Sequence, residues 1–174
     1  MARVLVVGIG NVLNGDDALG PYVVRVLEAT WELPGEVELL DAGTPGADLV
    51  SLLDGFDAAV VVDAVNAKGA PGETRRYDRA EILRGAPRLA LSPHEPGVRE
   101  ALLTMDFRGG GPEDVTLWGA ISECVEAGTG LSGPVRAALP AVVKGVLSEL
   151  ERLGVKPRPR AAPRSPAIWW ERSS

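Results

Sequence analysis

Short unbroken apolar runs alternate along this chain with stretches whose apolar residues recur every three or four positions. Arg3-Val-Leu-Val-Val-Gly-Ile9 is a continuous β-branched run, the pattern of a strand buried on both faces of a parallel sheet, and predicts the central strand. After a loop from Gly10 to Gly20, Val23, Val26, Leu27 and Thr30 fall at helical spacing, with Pro21 suited to a first turn. Val37 to Leu40 reads as a second strand, Ala47 to Leu53 as a short helix and Ala58-Ala-Val-Val-Val-Asp63 as a third strand. A loop of small residues from Ala64 to Gly72 follows, then a short edge strand at Thr74 to Tyr77, a strand at Arg88 to Leu91, a helix from Pro96 to Met105 and a strand from Val115 to Ile121. The clearest helix runs from Gly133 to Leu153 on the stripe Val135, Ala138, Leu139, Val142, Val143, Val146, Leu147, Leu150, with Ser132 as N-cap, a kink at Pro140 and a stop at Gly154. Strands alternating with helices over short connections predict an α/β fold, a three-layer αβα sandwich with a twisted, mostly parallel central sheet and right-handed crossovers. Functional groups are then expected at the carboxyl ends of the strands.

The 174 residues suit one domain over 1–154, followed by a Pro/Arg-rich stretch over 155–174 with no periodicity, which reads as a flexible tail. Its Trp169-Trp170 pair is the one feature there able to dock on the body or on a partner. Net charge is −6, and because the tail carries five Lys/Arg against one Glu the body is near −10, which argues against nucleic acid as a partner. No run approaches the roughly 18 apolar residues of a membrane span, and the N-terminus lacks a signal-peptide pattern. Cys124 is the only cysteine, so no intrachain disulfide forms; a cytoplasmic monomer is the expectation.

Gly8-Ile-Gly10-Asn11-Val-Leu-Asn14-Gly15-Asp16-Asp17 occupies the place of a dinucleotide fingerprint but is not one: Leu13 stands where the third glycine belongs, and two carboxylates follow that would repel a pyrophosphate. There is no Gly-Lys-Ser/Thr for a P-loop and no Gly-x-Ser-x-Gly elbow, Ser92 lies too close to His94 for a triad, and Cys124 reads as a small buried or loop cysteine more than as a thiol nucleophile. Gly8, Gly10 and Asn11 are then loop-geometry residues that let the backbone turn sharply after the strand. Asp17, Asp63 and His94, the only histidine, each lie at or beyond a predicted strand end. Two carboxylates and an imidazole suit a borderline divalent ion such as Ni²⁺ or Zn²⁺ better than Mg²⁺ or Ca²⁺. Asp16 is read as a cap of the next helix or as a residue that orients the loop.

Here the sequence resembles the hydrogenase maturation endopeptidase family, from Arg3 to about Gly154. The resemblance is carried by Gly8-Ile-Gly10-Asn11 through Asp16-Asp17-Ala-Leu-Gly20, Asp41-Ala-Gly43-Thr44-Pro-Gly46, Val62-Asp63-Ala64, Ser92-Pro93-His94 and Gly130-Leu131-Ser132. It implies a phosphorylase/hydrolase-like fold, metal contacts at Asp17, Asp63 and His94, and a substrate-recognition loop at Asp41, Gly43 and Thr44. In the first contact position relatives often carry glutamate, and Ala42 replaces the first glycine of the family's recognition loop. The implied activity is removal of a C-terminal extension from a nickel–iron hydrogenase large-subunit precursor after nickel insertion. The ion would either polarise the scissile carbonyl or activate a water, or only anchor the substrate while Asp16 or Asp41 acts as a general base. The nickel would be supplied by the substrate, with zinc or cadmium able to fill the site in vitro. The competing reading of the same ligands is a non-catalytic nickel chaperone, and a nucleotide-binding regulator ranks behind both.

Overall fold

A computed structural model of the chain describes residues 2–85, 88–89 and 97–171. Its centre is the strand order β3-β1-β4-β7-β5, built from β1 (Val4–Ile9), β3 (Val37–Gly43), β4 (Ala58–Asn66), β5 (Thr74–Asp78) and β7 (Asp114–Ile121). The first four in that order are parallel and β5 closes one edge antiparallel to β7. The two-residue strands β2 (Trp31–Glu32) and β8 (Arg158–Pro159) pair with each other, away from this sheet. The expected mostly parallel α/β architecture is therefore present, with β1 and β4 in its interior.

Both faces of β1 and β4 are covered, which is why their sequences are continuous apolar runs instead of alternating ones. On one face, Val4, Val6, Val60 and Val62 pack with residues of α1 (Leu19–Thr30) and α5 (Gly133–Arg152). On the other, Leu5, Val7, Val61 and Val65 pack with α2 (Leu49–Leu53) and α4 (Val98–Arg108), and Ile82 of α3 (Arg79–Leu83) joins them. Helix α3 is set by an Asp78 capping box with Glu81, both bonds at 2.8 Å, a signal too short to carry a periodicity. Helix α5 runs unbroken through Pro140 and ends before Gly154, whose φ of +83° turns the chain away.

Three expectations need correction. Strand β4 continues to Asn66 where a loop was expected from Ala64, because β7 pairs with it as far as Val65 and the short strand β6 (Arg88–Leu89) joins its other side at Val65 and Asn66. Strand β6 is antiparallel, so the chain does not leave it at the carboxyl edge of a parallel strand. The stretch read as a flexible tail is docked. Strand β8 pairs with β2, the Arg160 and Arg164 amides donate to Thr30 and Ala29 carbonyls at 2.9 Å, and Trp170 is buried in the core formed by α1 and α5. A segment poor in apolar residues is held because backbone bonds and one large indole suffice, neither of which leaves a periodic signature.

Helix α5 comes close to the sheet at Gly145, where a Cβ would stand 2.5 Å from the Trp118 ring. Gly145→Val is expected to destabilise the fold by about 1–3 kcal/mol and to lower the melting temperature by roughly 2–10 °C in a thermal denaturation experiment.

Candidate active site

The site is assembled by the way the loop after β1 folds back on the sheet. A Cβ on Gly8 would stand 2.4 Å from the Gly20 carbonyl oxygen, and one on Gly20 would stand 2.4 Å from the Ile9 oxygen and 2.5 Å from the Val62 oxygen. The start of α1 thus rests on the backbone of β1 and β4, an approach only two glycines allow. Gly10, at φ +143°, leaves no room for a side chain because its Cβ would fall 1.7 Å from the Asp17 carbonyl oxygen. Asn11 N–H closes the turn by donating to Asp17 Oδ2 at 2.8 Å. A 3-10 turn over Gly15–Ala18 then delivers two successive aspartates to different surroundings.

Asp16 is fully buried, and its carboxylate accepts the Glu123 and Cys124 amides at 2.8 and 3.0 Å and the Ser132 amide and hydroxyl at 2.7 and 2.8 Å. The same loops are joined along their backbones: Asp16 N–H to Cys124 O at 2.9 Å, Gly15 N–H to Gly128 O at 3.0 Å, Gly128 N–H to Leu13 O at 2.8 Å. A carboxylate with this many donors organises the loops it joins, the orienting role that is one of the two readings of Asp16. Ser132 is the N-cap residue of α5, but its hydroxyl serves Asp16 and not the helix.

Asp17 is 3% exposed and Asp63 0%. Asp63 lies within β4 in register with Gly119 of β7, where a Cβ would meet the Asp63 carbonyl oxygen at 2.3 Å. Alternation along β4 sends Val62 to the α1 face and Asp63 to the α2 and α4 face. Neither Asp63 carboxylate oxygen has a hydrogen-bond partner among the described residues. Burial, followed by the negative charge of Asp17, holds its pKa well above the ordinary 3.8. A buried carboxylate beside a second one is a place where a cation would be stabilised. His94, the expected third group, lies outside the described residues, as do Ser92 and Pro93. The last described residue before them, Leu89, pairs with Val65, two positions beyond Asp63. Among the described residues no set of three His, Cys, Asp or Glu side chains is complete.

Asp41 sits elsewhere. Its register with Gly8 puts it in one row with Val62, on the α1 face, so its side chain and that of Asp63 point to opposite sides of the sheet. Arg25 of α1 donates to Asp41 Oδ2 at 3.4 Å, and the Gly43 amide to Oδ1 at 3.1 Å. With a donor on each oxygen and the sheet between it and Asp63, Asp41 shapes the loop it begins. That loop is nonetheless attached to the site, through Gly10 N–H to Gly43 O at 2.8 Å, and it presents Thr44 to solvent. Left-handed backbone falls on Gly43 and Gly46, at φ +57° and +52°, so Ala42 carries no strain.

Comparison with known proteins settles the family. A family model described as hydrogenase maturation protease matches residues 21–149. The hydrogenase 2 maturation protease of Escherichia coli K12 is 37% identical over 161 residues, 92% of this chain and 98% of that protein. This chain belongs to the hydrogenase maturation protease family. The hydrogenase expression/formation protein HupD of Rhizobium leguminosarum bv. viciae is 34% identical over 154 residues, 88% of this chain and 76% of its own. Among solved structures, the hydrogenase maturating endopeptidase HybD from E. coli superposes with a TM-score of 0.84 at 35% identity, covering 91% of this chain and 98% of that one.

In this member of the hydrogenase maturation protease family, sequence reading missed Gly119, Arg25 and the amides of Glu123 and Cys124. The first could have been suspected as a glycine inside a predicted strand, which marks a close backbone approach. The others act through backbone or by a long-range pair and leave no local pattern.

Two outcomes follow from the carboxylates. Asp63→Asn removes a buried charge that faces Asp17, and its amide can donate to that neighbour, so the variant is expected to melt several degrees higher than wild type at neutral pH, a gain of about 1–3 kcal/mol. Because the folded pKa of Asp63 is raised, its favourable contribution is complete below the ordinary 3.8 and is lost as pH rises through the elevated value. The stability gap between variant and wild type should therefore close as pH falls toward that range and widen above it, as read by denaturation across pH. Asp16→Ala, by contrast, strands the Ser132, Glu123 and Cys124 donors and should cost about 2–4 kcal/mol in a urea titration.

Proposed function

We propose that this chain is an endopeptidase that removes a C-terminal extension from a nickel–iron hydrogenase large-subunit precursor once nickel has been inserted. Family membership supports a maturation protease. The observation that carries the finer reading is the buried Asp63 carboxylate beside Asp17, which accepts no hydrogen bond among the described residues. A stable fold gains nothing from this arrangement, whereas a divalent ion arriving with the substrate would be gripped by it. Asp17, Asp63 and His94 are the residues that would contact the precursor's nickel, and the Asp41–Thr44 loop beside them would read the surrounding chain.

The chemistry is constrained by what Asp16 and Asp41 already do. Both carboxylates are engaged in holding loops, so neither supplies the base that a metal-independent cleavage would need. The substrate's own nickel is then the group that polarises the scissile carbonyl or the attacking water while the protease positions it. A precursor without nickel would present nothing for the two carboxylates to bind, which makes processing follow metal insertion. The site's action on a folded macromolecular substrate, by a chain with no described helix long and apolar enough to cross a membrane, fits a partner met in solution.

The test is mass spectrometry of large-subunit precursor, nickel-loaded and nickel-free, after incubation with wild type, Asp63→Ala and His94→Ala. Expected is a C-terminal mass loss only for wild type with nickel-loaded precursor, with both variants at least about 100-fold slower. Cleavage of nickel-free precursor would overturn metal recognition. Stoichiometric nickel uptake by the isolated chain with no cleavage of any precursor would replace the protease by a nickel carrier.

A further inference from the structure

The C-terminal segment does more than cover apolar surface. The 3-10 turn Trp169–Glu171 seats Trp170, 5% exposed, edge-on against Tyr22 with ring centroids 5.0 Å apart and planes at 85°. The adjoining Glu171 carboxylate accepts from both the Tyr22 hydroxyl and the Arg136 guanidinium, and Arg136 lies over the Tyr22 ring at 5.6 Å from its centroid. Tyr22 is in the first turn of α1, the helix into which Asp17 leads. Arg136 is in the first turn of α5, and its amide donates at 2.8 Å to the carbonyl of Ser132, whose own amide and hydroxyl hold Asp16. A Cβ on Gly130 would stand 3.4 Å from Glu171 Oε1, so the turn also abuts the loop before Ser132.

We propose that the turn Trp169–Glu171 is a latch that ties the first turns of α1 and α5 together and thereby positions Asp17, with Glu171 and Trp170 as positioning residues for the site. The latch bridges the two elements whose preceding loops are sewn together by Asp16. One loop carries Asp17, and the other supplies the Glu123, Cys124 and Ser132 donors. Releasing the Glu171 bonds leaves the sheet intact, because Glu171 touches only the helix starts and the rim, whereas Trp170 also belongs to the core between α1 and α5. Tyr22 stays protonated as donor through the working range, since burial and then Glu171 raise its pKa to about 12.

This inference rests on the proposed cleavage for its kinetic arm, and a second arm is independent of it. The full chain is compared with Glu171→Gln, Tyr22→Phe and Trp170→Phe, each first shown to be folded by its melting curve. In hydrogen exchange, Glu171→Gln and Tyr22→Phe are expected to lose protection over residues 11–17 and 122–132 while β4 and β7 keep theirs; Trp170→Phe, which retains an aromatic ring, should stay close to wild type. In the cleavage assay the loosened variants should show about a tenfold higher KM for nickel-loaded precursor at unchanged kcat, as a smaller competent population predicts. A loss of folded protein would instead lower kcat at unchanged KM and would overturn the positioning role. Unchanged exchange in both loops would overturn the latch itself. The expected exchange pattern in a chain whose wild type cuts no precursor would support the latch and dismiss the cleavage reading.

Discussion

Backbone meeting backbone at Gly8 and Gly20 sets the position of everything that follows at the carboxyl edge of the sheet. With no room for a Cβ at either residue, the start of α1 lies against β1 and β4 and the loop between them is drawn back over the strand ends. Asp17 is consequently buried beside Asp63 instead of projecting into solvent, as a carboxylate in a Gly/Asn-rich loop ordinarily would. Gly10 and Gly119 extend the same constraint on either side, one against the Asp17 carbonyl and the other against that of Asp63. These glycines serve proximity more than flexibility. They remove side chains so that two acidic groups can share a small, dry volume.

That proximity has an energetic sign. A carboxylate desolvated beside another carboxylate favours its protonated form, and the folded chain bears the cost in stability. The remaining polar groups around it are arranged in the opposite way. Asp16, the immediate neighbour of Asp17, is saturated with donors, and Asp41 is held by Arg25 and its own loop amide. Asp16 and Asp41 are held by donors, whereas the Asp63 carboxylate accepts no hydrogen bond among the described residues. A scaffold that solves the hydrogen bonding of its loops and, among the described residues, not that of Asp63 supports the proposal that Asp63 serves a ligand.

Much of this was legible in the sequence. The fold followed from periodicity because β1 and β4 are buried on both faces and α5 carries an uninterrupted stripe, the cases in which pattern and burial agree most closely. Asp17 and Asp63 were recognisable from their place near predicted strand ends and from the family resemblance. What could not be read was which aspartate of the Asp16-Asp17 pair faces inward and which is tied to loops, since that depends on amides more than a hundred residues away. Nor could the face of β3 on which Asp41 emerges, which depends on register with β1. The docked C-terminal segment was missed because its hold rests on Trp170, Glu171 and a few backbone bonds, not on composition.

The central claim is that Asp63 is a buried carboxylate kept in waiting for a cation. Carbon-13 NMR of the aspartate carboxyls, followed across pH in the metal-free protein and again with cadmium as a probe ion, tests it directly. The account predicts that Asp63 titrates well above 3.8 without metal and that cadmium drives it to the ionised form at lower pH. An Asp63 that titrates in the ordinary carboxylate range and does not respond to cadmium would contradict it.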